Sequence, residues 1–251
     1  MALLTLEDVR AMSNNGTRGP VVVRRDQVLA PGARDYLQEH RVEVVYPQGK
    51  PEETSGKPGG SGGAAPAKYR TLFGAQLNEK PEHMTHLKGN VLVFKDHPRI
   101  AFRGMIDLLE AEILLAQQAA AEEGYRTLTE ELEEVLSFVR RNIRFDVLDE
   151  PVGEVRLCGY TPEQLREYSH YPEKHFGQPH FLVHYSDGPA LLAVNKVRTV
   201  VRRTELAAYG AFRDADGNVA REDIILGLNR LSSLLWIMMI KLKAGKYERS
   251  K

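Results

Sequence analysis

Between residues 98 and 243, apolar side chains recur at helical spacing in four long segments joined by short connections. A chain patterned this way buries those faces by laying the helices against one another. In residues 98–123, Phe102, Met105, Ile106, Leu109, Ile113 and Ala116 share one face, and Pro98 suits the first turn. A second helix is expected from Thr127, which forms a capping box with Glu130, and carries Leu132, Val135, Leu136, Val139, Ile143 and Val147. A short third helix starts at Thr161, with Pro162 next and Gln164 at the third helical position. The fourth spans residues 189–212 and the fifth residues 220–243. The turn between them, Asp214-Ala215-Asp216-Gly217-Asn218, places its glycine too early for a calcium-binding loop and reads as a joint. The expected fold is mainly α, an up-and-down five-helix bundle.

Two further zones precede the bundle domain, which is taken as residues 69–251. Residues 1–46 read as a small α+β module with little core of its own: a strand at Val21, Val22 and Val23, a helix from Pro31 to Leu37, and a strand over residues 42–45. Residues 47–68 are rich in Gly, Pro, Ser and Lys, centred on Gly56-Lys57-Pro58-Gly59-Gly60-Ser61-Gly62-Gly63, and read as a flexible linker. A phosphate-cradling loop needs two glycines four residues apart, then Lys and Ser/Thr leading into a helix, and neither that spacing nor that helix is present.

Composition narrows the function classes. Lys plus Arg and Asp plus Glu are 34 each, so no excess of positive charge invites nucleic acid. The single cysteine, Cys158, excludes an internal disulfide and a multi-cysteine zinc site. The greasiest stretch, residues 231–240, is too short to span a membrane, and residues 1–10 lack the pattern of a secretory signal. The expected location is the cytoplasm.

Polar residues interrupt the helical pattern at three places. On the fourth helix Arg198, Arg202 and Glu205 fall on one face. That face is either solvated, with an Arg202–Glu205 pair worth a few tenths of a kcal/mol, or a polyphosphate grip, since a guanidinium fork donates paired hydrogen bonds. On the fifth helix Asn229 and Ser232 sit among apolar residues, where the amide needs a partner from another helix or a ligand. On the first helix Gly104 marks either a packing notch or a close approach, and Asp107 beside it is expected to be partly buried and to seek a cation such as Arg198, with a surface acid as the alternative. His83 and His86 are candidate metal ligands, with hydrogen-bonded or exposed histidines as the alternative.

These interruptions resemble, in order, three sequence blocks of the corrinoid (ATP:cob(I)alamin) adenosyltransferases of the five-helix-bundle type. The D-P-R…G-x-x-D block is similar to residues 96–107, R-x-x-x-R-R-x-E to residues 198–205, and N-R-L-S to residues 229–232. Lys80-Pro81-Glu82-His83-Met84-Thr85-His86-Leu87 and Leu29-Ala30-Pro31-Gly32-Ala33-Arg34-Asp35-Tyr36-Leu37 look like the ethanolamine-utilization (EutT) branch. Two departures matter. Residues 69–77 hold no cysteine where members of that branch can carry a cysteine-rich metal motif, and no glycine-rich ATP motif is found.

The resemblance implies transfer of the 5′-deoxyadenosyl group of ATP to cob(I)alamin, with Mg²⁺ or another divalent metal alongside. It implies that Arg202, Arg203, Glu205, Asn229 and Arg99 bind ATP, with Asn229 also near the metal, and that Phe181, with Leu182 competing, displaces the lower axial ligand of cobalamin. It further implies an Asp107–Arg198 salt bridge between subunits of a homotrimer, and service to a cobalamin-dependent ethanolamine ammonia-lyase, with microcompartment components as further partners. A non-catalytic corrinoid carrier or assembly adaptor is the alternative.

Overall fold

A computed structural model describes residues 2–5, 8–9, 21–23, 27–29, 33, 36–37, 42, 44–45 and 67–249. The chain divides into two compact units, Met1–Ala67 with Phe73–Ala75, and Lys68–Leu72 with Gln76–Lys251. The centre of the expected linker and its glycine-rich stretch lie outside the described residues.

In the first unit, β1 (Ala2–Leu4) pairs in parallel with β3 (Gln27–Leu29), and β2 (Val21–Val22) with β4 (Val44–Val45). Leu4, Val9, Val21, Val23, Leu29, Ala33 and Leu37 form a local apolar cluster. Ala33, Tyr36 and Leu37 are helical, as the sequence suggests, whereas Pro31 lies outside the described residues. Strands β1 and β3 were not expected, being too short to show a period.

The second unit opens with a sheet that the helical reading missed. It holds β5 (Tyr69–Thr71), β6 (Gln76–Leu77), β7 (Met84–Lys88) and β8 (Val91–Phe94) in the order β6-β5-β8-β7. Gly89 adopts a φ of 53° in the tight β7–β8 turn, a conformation that favours glycine. Leu87, Val91 and Val93 make the sheet's own small core, with Ile100 against it.

Six helices follow. Helix α1 (Pro98–Glu122) buries Phe102, Ile106, Leu109, Ile113, Ala116 and Ala120. Helix α2 (Arg126–Val147) starts one residue before Thr127, so the expected Thr127/Glu130 capping box does not form; Tyr125 is the N-cap and Glu130 pairs with Arg126 at 2.9 Å instead. Helix α3 (Pro162–His170) carries the expected Thr161/Gln164 capping box. A short α4 (Pro172–Phe176) ends at Gly177, and a 3-10 turn covers Tyr185–Asp187. Helix α5 (Pro189–Phe212) has the expected bounds, and α6 (Glu222–Lys243) starts two residues later than expected. In the joint between them, Asp214 Oδ1 accepts from the backbone N–H groups of Asp216 and Asn218. Four long helices and the shorter α3, whose Leu165 is buried in the common core, thus form the bundle.

Helix α1 runs antiparallel to α5. Phe102 meets Phe212 edge-on at 5.5 Å, Thr204 Oγ1 donates to the Met105 carbonyl at 3.5 Å, and Glu112 pairs with Lys196 at 3.0 Å. Helix α6 packs on α5, α3 and α2. The close approach anticipated at Gly104 occurs elsewhere. Gly104 faces open space, whereas a Cβ on Gly227 of α6 would come within 2.8 Å of the Phe138 ring. By length and composition α6 passes for a membrane span, its apolar stretch being longer than residues 231–240, but Ile224, Leu228, Leu231, Leu235 and Met238 are buried in the bundle core.

Candidate functional site

Helices α5 and α6 bring four of the expected side chains to a shared seam, with Glu205 and Asn229 toward one end and Arg198 toward the other. Their antiparallel packing sets Glu205 opposite Asn229, whose Nδ2 donates to Glu205 Oε1 at 3.0 Å. The local Arg202–Glu205 pair does not form, because the carboxylate turns to the amide of the next helix. Asn229 Oδ1 accepts from Arg230 Nη1 at 3.1 Å, and Ser232 Oγ donates to the Asn229 carbonyl at 2.9 Å. The amide embedded in an apolar helix therefore has partners, as its cost of burial requires.

The guanidiniums on this seam form no ion pair among the described residues. Arg202 and Arg203 are exposed on α5 and have no acidic partner among the described residues. One turn earlier, Arg198 is partly buried. Its Nη2 donates weakly to Asn195 Oδ1 at 3.4 Å, and its Nε is buried with no hydrogen-bond partner. Burial, and then the neighbouring charge of Arg202, pull the Arg198 guanidinium below its ordinary pKa. Arg230 Nε is likewise buried without a partner. Two donor groups with no protein acceptor, beside two exposed guanidiniums, are chemically suited to accept an anion. Arg230 was not assigned from the sequence, although it lies inside the N-R-L-S block; only its buried Nε distinguishes it.

Asp107 departs from expectation. It is exposed on α1 rather than partly buried, and it pairs with neither Arg198 nor any other described residue of its own chain. Around it α1 exposes Gly104, Leu108, Leu114 and Leu115, and α5 exposes Leu206 and Tyr209.

Arg99 is engaged elsewhere. Its Nε donates to Asp146 Oδ1 at 2.6 Å and its Nη2 to the Asp146 carbonyl at 2.5 Å. Arg103 reaches Asp146 Oδ2 at 2.6 Å and donates to the carbonyls of His86 and Leu87 in β7. The guanidinium expected on ATP thus tethers α1 to the end of α2, and its neighbour tethers the sheet.

At the other end of the seam, the Phe181 ring stacks on Trp236 of α6, with centroids 5.2 Å apart. Lys243 Nζ lies 5.5 Å from the same Phe181 ring. Leu182 projects into solvent, 95% exposed. His180 also stacks on Trp236, and it lines an open cleft of about 600 Å³ with His170, Tyr171, Pro172, Lys174 and Pro179. Trp236 was not singled out in the sequence.

His83 and His86 do not converge as metal ligands. His83 stacks on Phe94, whereas His86 Nδ1 approaches the Gly89 carbonyl at 3.1 Å and its ring meets Tyr69. Among the described residues no group of three His, Cys, Asp or Glu side chains could hold a metal ion. The donors that suit a hard divalent cation are instead the second lone pair of Asn229 Oδ1 and the free carboxylate oxygen of Glu205. Such a pair fits Mg²⁺ when phosphate oxygens supply the remaining ligands.

Residues 75–242 match the sequence profile of the family described as cobalamin adenosyltransferase. The chain is 30% identical over 226 residues to the corrinoid adenosyltransferase EutT of Salmonella typhimurium, covering 86% of this chain and 82% of that protein. The same figures hold for EutT of Escherichia coli (strain K12). Among solved structures, a variant PduO-type ATP:corrinoid adenosyltransferase from Lactobacillus reuteri, complexed with cobalamin and ATP, is similar at 19% identity and a TM-score of 0.49, over 67% of this chain and 93% of that one.

Proposed function

The chain belongs to the cobalamin adenosyltransferase family, and on that premise we propose that it transfers the 5′-deoxyadenosyl group of ATP to cob(I)alamin, giving adenosylcobalamin and triphosphate. The observation that carries the site assignment is the Arg198–Arg202 pair, without an acidic partner in its own chain and on the same seam as Asn229.

The reaction is a displacement at the ribose C5′ carbon. The cobalt electron pair of cob(I)alamin forms the Co–C5′ bond, and the C5′–O bond breaks with its pair leaving on triphosphate. The nucleophile comes with the substrate, so the protein needs neither a nucleophilic side chain nor a general base. Its part is to position the reactants and to stabilise charge on the leaving group. Arg202 and Asn229 grip the triphosphate, Arg203 adds positive charge, and Glu205 fixes the Asn229 amide by accepting its Nδ2–H. When bound, Mg²⁺ would share the triphosphate charge, held by phosphate oxygens with Asn229 and Glu205. Arg99 supports the site from a distance by anchoring α1.

Phe181 displaces the lower axial ligand and so eases reduction of cobalt; exposed Leu182 beside it is the competing candidate. Asp107 pairs with Arg198 of a neighbouring subunit in a homotrimer, consistent with its exposure and with the apolar side chains around it. The enzyme works in the cytoplasm, associated with a bacterial microcompartment, and feeds a cobalamin-dependent ethanolamine ammonia-lyase.

The test is an anaerobic assay with ATP, Mg²⁺ and chemically generated cob(I)alamin, following the absorbance change as the cobalt–carbon bond forms. Absence of triphosphate release from the folded protein would overturn the activity. Full turnover by Arg202→Ala would overturn the site.

A further inference from the structure

We propose that Trp236 is a positioning residue that links the two substrate half-sites, holding Phe181 for the corrinoid and Arg198 beside the triphosphate grip. This rests on the adenosyltransferase reading above. The Trp236 ring is stacked with Phe181 at 5.2 Å and an interplanar angle of 21°, and with His180 at 5.8 Å and 13°. The Arg198 guanidinium carbon lies 5.5 Å from the centroid of the same ring. Within its own subunit no described carboxylate balances Arg198 and its buried Nε has no acceptor, so the electron-rich indole is the group that its own chain sets against it, alongside the neighbouring subunit's Asp107 proposed above. Residues 178–184 have no regular secondary structure; the Phe181 ring packs against the bundle core, and the Lys243 ammonium lies 5.5 Å from it. Aromatic stacking on a helix-borne ring is therefore what orients Phe181.

The arrangement couples the two ligands. Triphosphate at Arg202 relieves the repulsion between Arg202 and Arg198 and favours the Arg198 guanidinium in its place against the indole. A fixed indole in turn fixes Phe181. Each ligand then finds part of the ordering already done when the other is bound, and by linkage the effect is reciprocal.

Trp236 is the single tryptophan of the chain, so its emission reports this position alone. The full-length protein is titrated with cob(II)alamin, with and without saturating tripolyphosphate, and binding is read by corrinoid absorbance and indole fluorescence. In the wild type, tripolyphosphate shifts the emission and tightens cob(II)alamin binding by about tenfold. Trp236→Phe keeps most of that coupling. Trp236→Leu, which retains apolar volume but loses the ring, brings the factor below about twofold with the helical content intact. A wild type without coupling, or a Trp236→Leu protein with wild-type coupling, overturns the proposal, as do variants that weaken each ligand singly and leave the coupling factor unchanged. If Trp236→Leu does not fold, Phe181→Leu decides: its coupling must also collapse, and retention overturns the proposal. A wild type that makes no adenosylcobalamin sinks the adenosyltransferase reading itself. Turnover without coupling sinks only the role of Trp236.

Discussion

Asp146 accepts hydrogen bonds from both Arg99 Nε and Arg103 Nε at 2.6 Å, so one fully buried carboxylate holds two guanidiniums from successive turns of α1. Because Arg103 also binds the His86 and Leu87 carbonyls, this acid ties α1 and α2 to the sheet. Asp146→Ala removes the buried carboxylate shared by two partly buried guanidiniums and is expected to cost about 3–5 kcal/mol of stability. Denaturant unfolding of the purified variant measures it, and a loss under about 1 kcal/mol would show the network to be ornamental.

Arg202 is exposed and unpaired, so removing it leaves the fold alone. Arg202→Ala is expected to lower kcat/KM for ATP by roughly 10²–10³, the scale of losing one group that stabilises developing charge. Circular dichroism should match the wild type, and a steady-state assay across ATP concentrations reads the loss.

Phe181 and Leu182 separate by the oxidation state supplied. If Phe181 displaces the lower ligand, Phe181→Ala slows turnover by at least about tenfold when cob(II)alamin and a weak reductant are given. It has a smaller effect when cob(I)alamin is made in advance, because the reduction no longer has to be eased. Leu182→Ala showing the larger defect would transfer the role to Leu182.

Gly227 faces the Phe138 ring so closely that no branched side chain fits. Gly227→Val is expected to destabilise the bundle by about 1–3 kcal/mol through overpacking, read as a lowered midpoint in urea. Gly104→Val on exposed α1 lacks that clash within its own chain.

Burial pushes the Cys158 thiol up to about 12, with the Glu134 and Glu131 charges adding to the shift. A thiol raised on folding stays protonated in the native state while the unfolded thiol, near 9.0, ionises, so its contribution to stability is lost as pH climbs from about 9 to about 12. The native protein is expected to resist iodoacetamide at pH 8 and to label once unfolded, as mass spectrometry would show.

Long periodic segments were legible because each side chain reports its own face: the bounds of α5 and the Thr161/Gln164 cap follow from local chemistry. The sheet was not, since strands of two to five residues carry too little pattern. Partners distant in sequence were also hidden. Arg99 sits in a block that resembles an ATP-binding sequence, yet its acceptor, Asp146, comes 47 positions later, where nothing in the helical pattern marks it. Gly104 and Gly227 look alike in sequence; only the packing shows which one meets a ring. Of the site, Arg198, Arg202, Glu205 and Asn229 were readable as polar breaks in apolar helices, whereas Arg230 and Trp236 blended into theirs.

The antiparallel rods α5 and α6 act together as a caliper. Arg198 faces Trp236 and Glu205 faces Asn229, and each pair of positions on one rod is seven residues, about 10.5 Å, apart. A one-residue insertion in either interval would swing one jaw by about 100° while leaving the other in place. An insertion that spares both jaws must therefore fall in the joints or in the stretches before the bundle, and within the two intervals the gauge can change only by substitution.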